Sequence, residues 1–196
     1  MTIILDMGGV LMNHNMPECI ARFTDILSEE TMKTILGLGS NGEGASDSLM
    51  EKYERGEIST DVFIASIMEH AQRPTTREEV IAAWNAMHGG IPEERLQLIR
   101  LWKDAGHRLF LLSNNNDLHW EHILSQYEMS MFEYCFASHL MHKSKPDPKI
   151  YQEVDNRLHE WKCEQPFHFV DDIAINREKG EDIGWKTHET IYELEI

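Results

Sequence analysis

Three apolar runs in this chain each end in polar side chains. Ile3-Ile4-Leu5 runs into Asp6, Leu109-Phe110-Leu111-Leu112 into Ser113 and Asn114, and Phe167-His168-Phe169-Val170 into Asp171 and Asp172. Strands that are apolar at consecutive positions fit a sheet covered on both faces. From about residue 92 such strands alternate with helical patterns. Pro92 suits a first helical turn, and the apolar stripe of that helix is read as Leu98, Leu101 and Ala105, stopping at Gly106. The predicted order is then strand 108–113, helix 116–128, strand 132–138, helix 147–160, strand 167–171, helix 173–182 and, after a turn at Gly184, strand 185–190. This rhythm predicts an α/β fold, a three-layer sandwich around a parallel sheet.

The stretch from 16 to 89 has a different pattern. It holds no good strand and several helical ones. Phe63, Ile67 and Ala71 share one face with Ile64 and Met68 beside them, Ser59 or Thr60 can cap that helix, and Gly56 ends the helix before it. The glycine-rich stretch 37–44 reads as a loop and Gly89-Gly90 as a hinge. The expected organisation is a core of residues 1–15 and 90–196 with an all-helical lobe, 16–89, next to the rim where the polar groups gather.

Composition narrows the partners. The chain has 196 residues, 41% of them hydrophobic, and a formal net charge of -16. That charge argues against nucleic acid and membrane surfaces, which select basic faces. No apolar stretch approaches the ~20 residues of a membrane span. The amino terminus opens into a strand-like run without a basic and apolar leader, so the expectation is a cytoplasmic protein. Cys19, Cys135 and Cys163 form no close pair and are expected as reduced thiols.

Parallel strands deliver side chains to one rim at their carboxyl ends. Asp6, Ser113, Asn114, Asp171 and Asp172 are thereby expected to converge, with Lys145 from Lys145-Pro146-Asp147-Pro148. A nucleophilic carboxylate, a hydroxyl, a lysine and a pair of metal-binding acids suit phosphoryl transfer. Each residue also has a plainer reading: Asp6 and Asp171 cap the turns after their strands, Ser113 caps the next helix, Lys145 is a solvated lysine, and Asn176 is a helix residue. Convergence of all of them in one order favours the chemistry.

The ordered set resembles the haloacid dehalogenase-like hydrolase superfamily, most of whose members are magnesium-dependent phosphatases. Asp6-Met7-Gly8-Gly9-Val10-Leu11, Ser113-Asn114, Lys145-Pro146-Asp147-Pro148 and Val170-Asp171-Asp172 with Asn176 look like its four motifs. The helical insertion looks like its C1 cap on a Rossmann-like core. Glu54-Arg55-Gly56-Glu57-Ile58-Ser59 resembles the bacterial subgroup that includes α-D-glucose-1-phosphate phosphatases. The resemblance implies Asp6 as nucleophile, forming an aspartyl-phosphate. It implies Mg²⁺ held by Asp6, the Gly8 carbonyl and Asp171, with Asp172 and Asn176 supporting from outside. Ser113 and the Asn114 amide would hold phosphate oxygens, and Lys145 would neutralise the transferring group. The implied partner is a small phosphorylated metabolite, a sugar 1-phosphate in that subgroup.

Gly8 departs from the pattern. Phosphatases of this superfamily carry a second Asp there, which protonates the leaving oxygen and then activates water. His14, Asn13, Asn116, Asp117 and His142 are the nearby candidates to replace it. A sugar's anomeric oxygen is a good leaving group and needs less help. In the helical lobe, the acid-rich region 42–57, with Asn41 or Arg55, could touch a sugar. Two alternatives stand beside the phosphatase. One is a non-catalytic protein that senses a phosphorylated ligand. The other is a metal-independent 2-haloacid dehalogenase, for which the acidic pair would be a costly burial of charge.

Overall fold

The structure, a computed structural model, describes residues 1–37 and 48–194. Residues 38–47, which include most of the 37–44 loop, Asn41 and the first part of the acid-rich region, lie outside the described residues. Strand β1 (Thr2–Leu5) is followed by helices α1 (Met16–Thr24) and α2 (Glu29–Thr31), the latter continuing as a wider π-helical turn over Met32–Leu36. Then come α3 (Leu49–Glu54), α4 (Thr60–Glu69), α5 (Arg77–Asn85) and α6 (Glu93–Asp104). The remainder alternates: β2 (Arg108–Ser113), α7 (Asp117–Gln126), β3 (Tyr134–Ala137), the short α8 (Ser138–Met141), α9 (Pro148–Glu160), β4 (Phe167–Val170), α10 (Ala174–Glu181) and β5 (Lys186–His188).

The five strands form one parallel sheet in the order β3-β2-β1-β4-β5. β1 is central and buried along its whole length, which explains its uninterrupted apolar sequence. Its side chains alternate between faces. Ile3 and Leu5 pack with Leu109, Leu111 and Val170 against Ile99 and Trp102 of α6 and Ile123 of α7. Ile4 faces the other way, with Phe110, Leu112 and Phe169, against Ile150, Tyr151, Val154 and Leu158 of α9. The result is the expected α/β sandwich. Successive strands step from β1 to β2 and β3 on one side, then restart at β4 and β5 on the other. The crevice between β1 and β4 is thus a topological switch point, where α/β folds bind ligands.

The helices between β1 and α6 bury a third cluster, built on Phe23, Tyr53, Phe63 and Trp84 and joined by Leu118 of α7. Tyr53 stacks on Phe63 at 4.4 Å, and Phe63 leans on Trp84 at 4.8 Å. Ser59 caps α4 by accepting from the Val62 N–H, as expected, and Phe63, Ile64 and Ile67 are its buried residues. Ala71 falls beyond the end of α4, and Met68 is 40% exposed. The chain enters and leaves this layer through paired segments. Asn13 and Gly89 bond through backbone at 2.8 Å, Asn13 and Gly90 at 2.9 Å, and Asn15 and Met87 at 2.7 Å. Gly89-Gly90 sits in a hydrogen-bonded ribbon, with Gly90 in the left-handed region at φ 81.

One reading of pattern is corrected. The buried face of α6 is Ile99 and Trp102, whereas Leu101 is 64% exposed. We expect Ile99→Ala to cost ~2–5 kcal/mol, while Leu101→Ala stays within ~0.5 kcal/mol. Urea unfolding of the two variants checks the assignment.

Candidate active site

Asp6 and Asp171 are the first residues past the adjacent strands β1 and β4. Backbone pairing continues into both: the Asp6 N–H donates to the Val170 carbonyl (2.9 Å) and the Asp171 N–H to the His188 carbonyl (3.1 Å). Both side chains are buried, and the Lys145 ammonium lies between them, 2.9 Å from Asp6 Oδ1 and 2.5 Å from Asp171 Oδ2. The plainer reading of Lys145 as a solvated lysine is thus wrong; it is 4% exposed. Asp171 also accepts from the Ile173 N–H (2.9 Å) and from the Asn176 amide at both oxygens (3.0 and 3.1 Å). It therefore does cap the following turn, and it bonds Asn176 and Lys145 as well.

Asn114 acts through its side chain. Its amide donates to the Lys145 carbonyl (2.9 Å) and its oxygen accepts from the Lys145 N–H (2.8 Å), so the backbone of the lysine is clamped on both sides. This role was not read from the sequence, where only the Asn114 backbone was considered. Ser113 is buried at the end of β2 and its hydroxyl donates to the Asn114 carbonyl (3.3 Å). It does not cap α7; Asn116 does, accepting from the His119 N–H.

The loop after Asp6 is tight. The Met7 N–H donates to Asp6 Oδ1 (2.7 Å), and the Leu11 and Met12 N–H groups both reach the Met7 carbonyl. Gly9 has φ +74, and a Cβ there would collide with the Asp172 carboxylate. Asp172 is exposed and lies over this glycine. A carboxylate oxygen from each of Asp6, Asp171 and Asp172 falls within 4.8 Å of the others. All three are hard oxygen donors, and Asp6 and Asp171 are fixed by backbone and Asn176 contacts, so the set fits Mg²⁺.

Of the candidates to replace an acid at position 8, His14 is the one that touches it: a Cβ on Gly8 would run into the tip of the His14 imidazole. Asn116 is committed to Trp84 and His119, Asp117 faces Thr60 and His139, and His142 bonds the Arg55 carbonyl. The helical layer supplies a carboxylate that the motifs did not reveal. Glu54, the last residue of α3, lines one cavity with Asp6, Lys145, Asn114, Gly8 and His14. It opens the 54–59 segment that carries the subgroup resemblance, but nothing there sets it apart from Glu51 or Glu57 as an acid.

Burial raises the Asp6 carboxyl to about 6, with Lys145 opposing and Asp171 reinforcing the rise. Burial, then the Glu51 carboxylate, raises Glu54 to about 7. Burial would lower Lys145, but the Asp6 and Asp171 carboxylates outweigh it and the net direction is upward. A carboxylate raised on folding holds a proton that the unfolded chain has released, so it penalises the fold as it ionises. In chelator, stability should therefore decline as pH climbs from the ordinary values of 3.8 and 4.5 through about 6 and about 7. Lys145→Met should cost ~3–5 kcal/mol near neutral pH by leaving two buried carboxylates unpaired, and less in acid, where Asp6 is protonated. Urea unfolding across pH measures both effects.

A model of the haloacid dehalogenase-like hydrolases matches residues 1–172. Among solved structures, a HAD family enzyme from Bacteroides thetaiotaomicron, a single-residue variant in complex with magnesium and inorganic phosphate, superposes with a TM-score of 0.83 at 25% identity, covering 96% of this chain and 92% of its own. A HAD-like family hydrolase from Porphyromonas gingivalis gives 0.79 at 25% identity, covering 99% and 92%. A β-phosphoglucomutase from Pyrococcus, at 16% identity and a TM-score of 0.54 over 95% and 84%, shares the fold alone. The arrangement of Asp6, Lys145 and Asp171 at one sheet edge and the match over most of the chain agree, and the chain belongs to the haloacid dehalogenase-like hydrolases.

Proposed function

We propose that this protein is a magnesium-dependent phosphatase that hydrolyses a small phosphorylated metabolite through an aspartyl-phosphate on Asp6. The observation that carries the reading is the buried Lys145 ammonium shared by Asp6 and Asp171, with the Asp172 carboxylate within 4.8 Å of both. The Bacteroides relative with bound magnesium and phosphate supports it. Asp6, the Gly8 carbonyl and Asp171 would hold Mg²⁺, and Asp172 and Asn176 support that set. Bound there, the ion supplies positive charge to the phosphoryl oxygens.

The chain's own groups do the rest. Asp6, backed by the Met7 N–H on one oxygen, attacks phosphorus in line. Lys145 offsets negative charge on the nucleophile and on the transferring group. The Ser113 hydroxyl and the Asn114 N–H take phosphate oxygens, while the Asn114 side chain keeps Lys145 in place. Residues 16–89 serve as a C1-type cap over a core of 1–15 and 90–196, and the cap selects the substrate. The 54–59 sequence favours a sugar 1-phosphate, whose anomeric oxygen leaves readily. The net charge of -16 disfavours nucleic acid and anionic membranes, and three free thiols fit a reducing cytoplasm. No helix among the described residues is long and apolar enough to cross a membrane.

The test is a screen of phosphorylated metabolites with magnesium and with chelator. Phosphate release should require the metal and should vanish in Asp6→Asn. Halide release from a 2-haloacid without metal would support a dehalogenase instead, and binding of phosphorylated ligands without turnover would support a sensor.

A further inference from the structure

The wall opposite the charge cluster carries a carboxylate with no structural task. Glu54 ends α3 facing the cavity that holds Asp6 and Lys145. Its main chain is held firmly: the Ser138 hydroxyl donates to the Glu54 carbonyl (2.5 Å), and the preceding Tyr53 is buried with its hydroxyl accepting from the Leu118 N–H (3.1 Å). Its carboxylate, by contrast, makes no hydrogen bond or ion pair among the described residues, although the residue is half-buried. A pinned backbone and an unpartnered acid lining a reaction cavity describe a group free to act on a ligand.

Apart from His14, the charged groups around that cavity are spoken for. Lys145 is engaged by two carboxylates. Asp172 lies over Gly9 among the metal-binding oxygens. His14 rests on Gly8 itself, in the space a side chain at position 8 would need. Glu54 faces Asp6, Lys145 and His14 across the cavity, with Glu51 and Arg55 beside it on its own helix end.

We propose that Glu54 is the acid–base catalyst of this phosphatase, supplied by the helical layer in place of a side chain at position 8. The proposal rests on the phosphatase reading above. In the first step an Asp6 oxygen bonds to phosphorus, the bond from phosphorus to the leaving oxygen breaks, and the Glu54 carboxylic acid gives its proton to that oxygen. In the second step the Glu54 carboxylate takes a proton from water as the water oxygen bonds to phosphorus. The bond from phosphorus to Asp6 breaks, releasing phosphate and restoring the protonated acid. Burial and the neighbouring Glu51 carboxylate keep Glu54 near neutrality, at about 7, where both forms are populated.

The experiment compares wild type, Glu54→Gln and Asp6→Asn, all with magnesium, on p-nitrophenyl phosphate and on β-glycerophosphate. Glu54→Gln is isosteric and keeps the backbone contact to Ser138. It should lower turnover of the alkyl phosphate by ~10²–10⁴-fold. With the aryl phosphate, whose leaving group needs no proton, the first step should proceed and the second stall. A burst of p-nitrophenol and a phosphoryl adduct on the intact protein by mass spectrometry should follow. Equal turnover in Glu54→Gln and wild type, or equal loss on both substrates without an adduct, overturns the proposal while leaving the phosphatase reading intact. Wild-type protein that releases no phosphate and forms no adduct on Asp6 overturns both. A double variant, Gly8→Asp with His14→Ala to make room, should restore alkyl phosphate turnover when added to Glu54→Gln; failure to do so when the triple variant unfolds like wild type also counts against the proposal.

Discussion

The site depends on a lysine ammonium buried between two carboxylates. Taking Lys145, Asp6 and Asp171 out of water costs several kcal/mol for each ion, and their mutual attraction offsets this only when the geometry is exact and the remaining polar atoms are satisfied. The structure meets these conditions at Asp171 and at the lysine backbone with particular neighbours. Asn114 holds the lysine backbone at both its N–H and carbonyl. Asn176 and the Ile173 N–H take the Asp171 oxygens that Lys145 leaves. The Met7 N–H donates to the Asp6 oxygen that Lys145 also contacts. These groups come from four separate stretches of chain, which only the sheet order β2-β1-β4 brings to a single edge. Topology and charge pairing are therefore one constraint: the crossover that sets β4 beside β1 is what gives the lysine its second carboxylate.

The helical layer answers to the same constraint from above. It is fastened to the strand ends by buried polar contacts as well as by apolar packing. Trp84 donates its indole N–H to Asn116 (3.2 Å) and His119 bonds the Trp84 carbonyl (3.0 Å). The Tyr53 hydroxyl takes the Leu118 N–H (3.1 Å), and Ser138 bonds both Glu54 and Asn115. Each of these contacts lies one to a few residues from a group at the reaction cavity. Displacing the layer as a rigid body would strip partners from several buried donors at once, each at ~1–3 kcal/mol. The paired ribbon at 13–15 and 87–90 adds to this resistance. A wall held so closely can carry chemistry as well as selectivity.

Most of the sheet was legible because central parallel strands admit little but apolar residues, and the polar groups at their ends then stand out. β2 matches its predicted bounds, and the others differ by a few residues at their ends. The face of α6 was not legible. Leu98, Leu101 and Ala105 make a regular stripe, but Ile99 and Trp102 make another, and only contact with the sheet decides between them. In the site, Asp6, Lys145 and Asp171 were visible from order and context. The Asn114 side chain was not, because its partner is a backbone 31 residues away. Glu54 was legible only as part of the 54–59 segment and the acid-rich region 42–57: neither its lack of a partner nor its place beside Asp6 exists before the chain folds.

Charge balance links the separate parts of the site. Three carboxylates face one ammonium there, inside a protein whose net charge is already -16. A phosphate dianion entering that field meets repulsion that Lys145 alone cannot offset, and the low dielectric of a buried edge strengthens it. A divalent cation on the carboxylate oxygens cancels that local excess of negative charge. A protonated Glu54 on the opposite wall lowers the remaining repulsion and turns an anionic neighbour into a hydrogen-bond donor at the oxygen that must leave. The same burial that makes these carboxylates unfavourable without a ligand thus makes them selective for one, and a carboxylic acid reaching in from the helical layer suits this site better than another fixed anion beside Asp6.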